Sequence, residues 1–537
     1  MPSIINQSIF KLVKRAEKYD KEHLVKTFVD VGPLFTLLRN PDHQIIYGRR
    51  GTGKTHAFSF LQNELEKKNY LPIYIDMRNI GSNGGIYSDY NLSLTERATR
   101  LLIDTFSIVH DQILSYVLLN DEKYDLSVFG PILDNLATSI SEIEVVGNVE
   151  LEETNNSAKT DNSSLGLTMS PKDVSFTSKD EYIKVEGQVK RQKVQGISRH
   201  RVHFTTVNYL FTKLKQLLGE NEIWILIDEW AEIPLDLQPY LADLLRRTLF
   251  SIRGITIKIA AIEKRTNFKI LSQQGYIGIE PGADISSSLN LDEFMVFDND
   301  PEKSKSFFKT LIYNHVNQFL IEEGPGYSDK NLFLSAAFTQ VGAFEELVRA
   351  SEGIPRDAIN ILIHSAIKAD NDKISIPNIR NAARNWFTTD KEKSVMSKID
   401  AKLLLRWVID EVIGNRNSRA FLLSSEVQNE IIEYLFDNRI IHIIKQNISS
   451  KDKPGERYNV YAIDYGTYVH LINTGDEPKG LFYAETDRGE EYIDVPLNDY
   501  RSIRRSILNI EDFYEQQTKL LGGQEGADNL DVKSIEK

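Results

Sequence analysis

The stretch IIYGRRGTGKTHAFSFL, from Ile45 to Leu61, decides how the chain must be read. HQIIY, ending at Tyr47, reads as a short buried strand. THAFSFLQNELEKK, starting at Thr55, repeats its apolar residues at helical spacing. Between them, Gly48, Gly53, Lys54 and Thr55 fit G-x-x-x-x-G-K-[ST], with Gly51 and Thr52 inside the loop. Glycines let successive backbone N–H groups turn inward, where they and the positive helix N-terminus hold phosphate oxygens. In such a loop the lysine reaches the β- and γ-phosphates and the threonine hydroxyl faces Mg²⁺. Lys54 and Thr55 stand in those places. Arg49 and Arg50 leave three readings open: a phosphate contact, a contact to a neighbouring subunit, or solvated loop residues.

A phosphate loop that hydrolyses needs a carboxylate for the metal and a group to orient water. EIWILIDEWAEIP supplies both. Ile223 to Ile227 is an apolar run of strand length, and Asp228 and Glu229 follow at its carboxyl end, where open α/β sheets place ligand groups. Asp228 is expected to hold Mg²⁺ and Glu229 to polarise the attacking water. The plainer alternative is an acidic pair that merely ends a strand. Further strands are expected over Leu71–Arg78, Ile255–Glu263 and Leu289–Phe297, with helices over LTERATRLLIDTFSIVHDQIL and LQPYLADLLRRTLFSI. This alternation predicts a parallel α/β sandwich. Glu263, with Thr266 just beyond it, tips the ITIKIAAIE strand that should end beside the γ-phosphate. An acid there would face phosphate, so pairing with a nearby cation is the alternative.

Gly353-Ile354-Pro355-Arg356 opens a helix whose apolar residues Ile359, Leu362, Ile363 and Ala366 keep helical spacing. Arg356 lies in the first turn, where a cation opposes the helix dipole. That conflict calls for a partner anion, either a nucleotide phosphate or an acidic side chain; an ordinary surface arginine is the alternative.

FVDVGPL, IIYGRRGTGKTH, IYIDMR, WILIDEW and EGIPRDAINIL together resemble AAA+ ATPases of the origin-recognition, or initiator, type over roughly Phe28 to Ile472, with one large interruption. The resemblance implies ATP with Mg²⁺ bound between an α/β base and a helical lid. It places Gly48, Gly51, Thr52, Gly53, Lys54 and Thr55 around the nucleotide, and Thr55 and Asp228 on the metal. Lys54, Glu229 and Arg356 become the catalytic set, Arg356 being the lid arginine called sensor 2. Two departures stand out. The sensor 1 strand has Glu263 where an asparagine or threonine is usual, and the arginine finger a neighbouring subunit supplies has only Arg253 and Arg265 as candidates. Bacterial relatives of this type accompany mobile elements or antiphage defence, which makes such a setting one implication of the resemblance.

The implied organisation is an N-terminal helix over 1–27, an ATPase core over 28–300, a lid over 301–392, a winged helix over 395–475, and a helix with an acidic disordered tail over 476–537. A β-rich insertion near 140–200 interrupts the core: IEVVGNVELE alternates as hairpin strands do, and NNSAKTDNSS is polar and of low complexity. Its basic run KRQKVQGISRHRVH suits a nucleic-acid backbone, an acidic partner face, or simply a solvated tip. The winged-helix reading rests on DAKLLLRWVIDEVI, then SSEVQNEIIEYLFDNR with Ser425 as N-cap, then strands IIHIIKQNI and RYNVYAID. Its wing carries Lys451, Lys453 and Arg457, which favours DNA. Its recognition helix carries Glu426, Glu430 and Glu433 on one expected face, which phosphates would repel.

Composition narrows the partners. The 537 residues are 41% hydrophobic and 26% charged, with a net charge of −13 and no cysteine. The overall field draws the protein to neither nucleic acid nor anionic membrane. Disulfides and thiolate metal sites are excluded. No signal-like apolar core opens the chain and no bilayer-spanning run is expected, so the cytoplasm is the simplest location. These readings converge on an ATP-hydrolysing switch or machine that self-associates or engages a partner protein, with DNA a possible target and no membrane. The alternative is a nucleotide-gated scaffold or DNA-binding regulator with little turnover.

Overall fold

The apolar runs become strands, in chain order: β1 Gln44–Tyr47, β2 Leu71–Asp76, β3 Ile143–Glu153, β4 Thr177–Val185, β5 Gln188–His200, β6 Ile223–Asp228, β7 Ile255–Ala261, β8 Lys269–Ser272, β9 Gly275–Gly278, β10 Ser286–Asn290, β11 Ala420–Ser424, β12 Ile441–Ser449 and β13 Arg457–Ile463. The computed structural model describes residues 3–518, except 31, 81–91, 142, 154–176, 186–187, 201, 273–274, 293–299, 325, 416–418, 428, 450–454, 468 and 470–506.

Five strands form the central sheet in the order β10-β1-β7-β6-β2, and every pairing is parallel. β6 is buried along its whole length because both its faces are covered. Trp224 and Leu226 point to one side, with Phe58, Leu61 and Leu65 of the helix Lys54–Lys67. Ile223, Ile225 and Ile227 point to the other, with the helices Leu94–Leu119, Leu126–Ile140, Phe204–Leu218 and Gln238–Thr248. The α/β sandwich expected from the motifs is therefore the fold. The last sheet strand differs from the expected Leu289–Phe297: β10 begins at Ser286 and ends at Asn290, pairing Ser286 beside Gln44 and Asn290 beside Tyr47. Residues 293–299 lie outside the described residues.

The helix Leu94–Leu119 corrects one expectation. Its 26 residues are long and apolar enough to cross a bilayer. Its apolar stripe, including Leu101, Phe106, Ile113 and Val117, packs into the same core as Ile225 and Ile227. Arg97 pairs with Asp236, and Arg100 with Glu96. That pattern is a core helix whose arginines are paired, Arg97 within the fold and Arg100 on the outer face.

In the insertion, β3 and β4 flank β5 in an antiparallel sheet, as the alternation predicted. The basic run falls on β5 and just beyond, and the side chains of Lys190 to Arg201 lie outside the described residues.

The N-terminal segment is two helices, Ile4–Phe10 and Lys21–Thr27, instead of one. The first docks on the helical region: Asn6 Nδ2 donates to Asp370 O at 2.6 Å and to Asp372 O at 3.1 Å, and Ile5 and Ile9 join its core. That region contains the helices Pro301–Glu323, Lys330–Ala337, Val341–Ala350, Pro355–Ala369 and Ile376–Trp386.

Toward the C-terminus, the helix Ile399–Ile409 leads into β11, which precedes the helix Glu430–Asp437 and the hairpin β12–β13. The three strands form one antiparallel sheet, β11-β13-β12. The second helix is shorter than expected, and its N-cap is Asn429, whose Oδ1 accepts from the N–H groups of Ile431 and Ile432 at 3.0 Å. Ser425 cannot cap it, because its N–H and hydroxyl both donate to Arg457 O, at 2.9 and 3.1 Å, which ties it to β13. Lys451 and Lys453 lie outside the described residues, as do 470–475 at the end of the expected winged helix and 476–506 and 519–537 of the expected terminal helix and tail. Residues 510–518 are helical, and Phe513 packs beside Trp407.

Gly466 follows β13 where the chain presses against the helical region. A Cβ there would lie 2.6 Å from Phe387 Cβ and 2.8 Å from Ala383 O. Gly466→Ala is expected to destabilise the fold by about 1–3 kcal/mol, as overpacking does. Denaturant unfolding reads this as a lowered midpoint, and an unchanged midpoint would show that the backbone yields there.

Candidate functional site

The phosphate loop bridges β1 and the helix Lys54–Lys67. Gly51 and Gly53 have φ of +94° and +95°, the left-handed region that a residue with a Cβ enters only under strain. Gly51 is also needed for space, since a Cβ there would lie 2.8 Å from Arg356 Cβ. Lys54 is 7% exposed, and its Nζ donates to Gly48 O at 2.6 Å and Arg49 O at 3.1 Å. Burial pulls its pKa down, while Asp228, Glu229 and Asp292 pull it up.

The two acids occupy the end of β6. Asp228 is fully buried. Its Oδ2 accepts from Thr55 Oγ1 at 2.7 Å and from Tyr74 Oη at 2.9 Å, and its Oδ1 from the N–H of Glu229 at 2.8 Å. Glu229 has φ +54°, uncommon for a non-glycine residue, and starts a short 3₁₀ turn. Burial raises its carboxyl pKa and neighbouring Asp228 raises it further, against Lys54, Arg78 and Arg50. The Thr55 hydroxyl and Asp228 carboxylate are hard oxygen donors within hydrogen-bond reach of each other, which suits Mg²⁺.

The helical region supplies Arg356 in the first turn of Pro355–Ala369. Its backbone N–H donates to Gly51 O at 3.2 Å. Its guanidinium Nε is buried with no hydrogen-bond partner, and burial, then Arg439, pulls its pKa down. A half-buried guanidinium with an unpartnered Nε beside the phosphate loop fits an anionic ligand.

Lys54, Thr55, Glu229 and Arg356 line one cleft open to solvent, together with Val13, Tyr19, His56, Leu311 and His315. Tyr19 stacks on His23 at 4.2 Å, and His315 lies 5.9 Å from His56. Burial holds His315 neutral, down to about 3. The site therefore has a polar, cationic end at the phosphate loop and an aromatic, largely apolar end between the N-terminal segment and the helix Pro301–Glu323. Lys54, Thr55, Asp228, Glu229 and Arg356, picked out from sequence, are brought together here.

Other readings change. Arg49 is 2% exposed: its N–H and Nε donate to Asp292 at 2.9 Å each, and its Nη1 donates to His442 Nδ1. Arg50 pairs with Glu232. Glu263 is exposed and lines a different cleft, with Arg49, Asn290, Phe436 and Lys445. Arg253 is exposed, just before Gly254 at the start of β7, the end of the sheet away from the phosphate loop. Arg265 pairs with Asp437 at 3.2 Å. Sequence reasoning missed Tyr74 and the lining from Val13 to Tyr19. Tyr74 carried a usable signal: as the fourth residue of β2, in parallel register with β6, it alternates onto the phosphate-helix face.

Residues 11–83 match the family described as ORC-CDC6-like. That span runs from the cleft-lining Val13 through the phosphate loop and past Tyr74, so the resemblance carried by the motifs holds over this part of the chain. No curated protein matches the chain. Among solved structures, the Orc1 protein of Aeropyrum pernix in complex with DNA is 12% identical, over 87% of this chain and 96% of that one, with a TM-score of 0.30.

Raising Glu229's pKa has a consequence for stability. A carboxyl that holds its proton more tightly when folded costs stability as pH rises through the interval between its unfolded and folded values. Glu229→Gln is expected to melt higher than wild type at neutral and alkaline pH. The difference should shrink as pH falls into the carboxylate range. Thermal melts across pH check it, and a variant that melts lower throughout would contradict the assignment.

Proposed function

We propose that the chain binds and hydrolyses ATP with Mg²⁺ as an AAA+ switch of the origin-recognition type, acting on DNA or a partner protein. The observation that carries this reading is convergence. Lys54 from the loop helix, Asp228 and Glu229 from β6, and Arg356 from the helical region line or border one cleft, although they are far apart in sequence.

Lys54 leaves its loop carbonyls to meet the β- and γ-phosphates, an exchange of weak acceptors for charged ones. Thr55 and Asp228 would hold the metal ion, which supplies charge neutralisation on the phosphates. Tyr74 keeps the Asp228 carboxylate turned toward Thr55. Glu229 orients the attacking water and accepts its proton. Its raised pKa, set by burial and Asp228, moves the carboxylate toward the range useful to a base at neutral pH. Arg356 brings positive charge from the lid, so that the lid's position depends on the phosphate. The aromatic end beside Tyr19 and His315 receives the base.

Of the possible targets, a partner protein has one observation in its favour. Glu433 and Asp437 of the helix expected to read DNA face Lys264 and Arg265 of the ATPase core, at 3.9 and 3.2 Å. Docked on the core through these acids, the helix is not free to enter a DNA groove by that face. We also propose that the C-terminal unit over 395–475 is a winged helix.

Lys54→Ala should abolish binding of a fluorescent ATP analogue. Glu229→Gln should keep that binding and lose roughly 10²–10⁴-fold in turnover, the range a general base contributes. Equal, near-zero turnover in wild type and Glu229→Gln would favour the scaffold alternative. For DNA, a gel shift at low salt with ATP present, lost steeply as salt rises, is the expected signature of phosphate contacts; no shift leaves the partner protein as the target.

A further inference from the structure

Behind the phosphate loop runs a buried line of charges that the hydrolysis chemistry does not use. It starts at Arg49. The Arg49 guanidinium donates to His442 Nδ1 on β12, and His442 Nε2–H donates to Asp464 Oδ2 at 2.9 Å. Asp464 takes Lys391 Nζ at 2.6 Å, and Lys391 Nζ lies 3.0 Å from Asp357 Oδ2. Asp357 also pairs with Arg439, which reaches Asp390 at 2.6 Å. Asp357 is the residue after Arg356 in the lid helix. Arg49, His442, Asp464, Lys391 and Asp357 are each at most 3% exposed.

The donor pattern sets the protonation. With Nδ1 accepting from Arg49, His442 is the neutral tautomer protonated on Nε2, as burial also requires. Burial pushes Asp464 upward, but Lys391 and His442 together hold it well below the usual carboxylate range. Glu352, His442 and Asp464 cluster closely enough to suggest a metal site. Arg419 on Glu352, Arg49 on His442 and Lys391 on Asp464 already supply the positive charge, so a cation does not fit there.

Both ends of this line sit one bond from a group that phosphate would take. Lys54 Nζ rests on the carbonyl of Arg49, and Arg356 adjoins Asp357. We propose that the C-terminal unit is a latch on the ATP cleft: the Arg49–His442–Asp464–Lys391–Asp357 line ties loop and lid to it, and nucleotide binding loosens that tie. This rests on the ATP reading of the cleft. When Lys54 and Arg356 turn to the phosphates, Arg49 and Asp357 shift relative to each other, and a line of buried, directional charge pairs does not stretch; it breaks and re-forms. Charges are costly in such a place, where apolar residues would hold two domains together as well, so their use suits a contact that must open. Lys264–Glu433 and Arg265–Asp437 are an exposed second clasp of the same joint.

The absence of cysteine makes the test direct. The full chain carries Glu122→Cys in the core and Glu426→Cys in the C-terminal unit, both exposed positions, with spin labels for distance measurement. Wild type should give one narrow distance alone and a second, longer population with Mg²⁺ and a slowly hydrolysed ATP analogue. Lys391→Met should show the longer population without nucleotide, lose the nucleotide response, and change analogue affinity by roughly 5-fold or more, since coupling is reciprocal. If Lys391→Met does not fold, the double variant Lys264→Glu/Arg265→Glu is expected to populate the longer distance in the same way. An unchanged wild-type distance at saturating analogue overturns the latch, as does a folded variant that responds like wild type. Analogue binding followed on the same labelled sample separates the two proposals: binding without movement overturns the latch alone, and no binding overturns the ATP reading with it.

Discussion

The carboxylate of Asp228 is the constraint on which the site depends. It is fully buried at the carboxyl end of β6, and so it must be paired. Thr55, Tyr74 and the Glu229 N–H provide that pairing, from the loop helix, from β2 and from its own successor. One buried charge thus joins three elements and holds the phosphate helix at a fixed height above the sheet. It also explains the unusual backbone at Glu229: closing the N–H onto Asp228 turns the residue into the left-handed region and aims its side chain into the cleft.

The sheet makes this geometry possible by being apolar on both faces. β6 and β7 are buried end to end, and their alternating residues feed two separate cores. One core includes the phosphate helix, the helical region and parts of the C-terminal unit. The helical region is therefore part of the same packed body that carries β12 and β13. The polar counterpart is the buried charge line from Arg49 to Asp357. Packing supplies the stability of the joint, and the charges supply its directionality.

Much of this was legible in the residues. The loop, the acidic pair and the lid arginine each carry a local reason for their residue types, and the cleft gathers all three. The last sheet strand was placed too far along because LNLDEFMVF ends in the apolar run FMVF, whereas pairing with β1 ends at Asn290. The helix before the hairpin was drawn too long for a related reason: SSEV looks like a helix start, but Ser425 is claimed by Arg457 across the sheet. In both cases a long-range backbone partner outweighed local propensity.

What the sequence by itself determined is which residue types meet at the cleft, because glycines at left-handed positions, a lysine at a helix start and acids at a strand end are placed by their own local segments. Only the tertiary structure decided the roles of the remaining charges. Arg49 looked like a loop cation and is a buried tie to His442; Arg265 looked like a finger and is clasped by Asp437; Glu433 looked like part of a repelled DNA face and meets Lys264 of the core. A charged side chain takes its meaning from what neutralises it, and these partners lie on distant segments that only folding brings within reach.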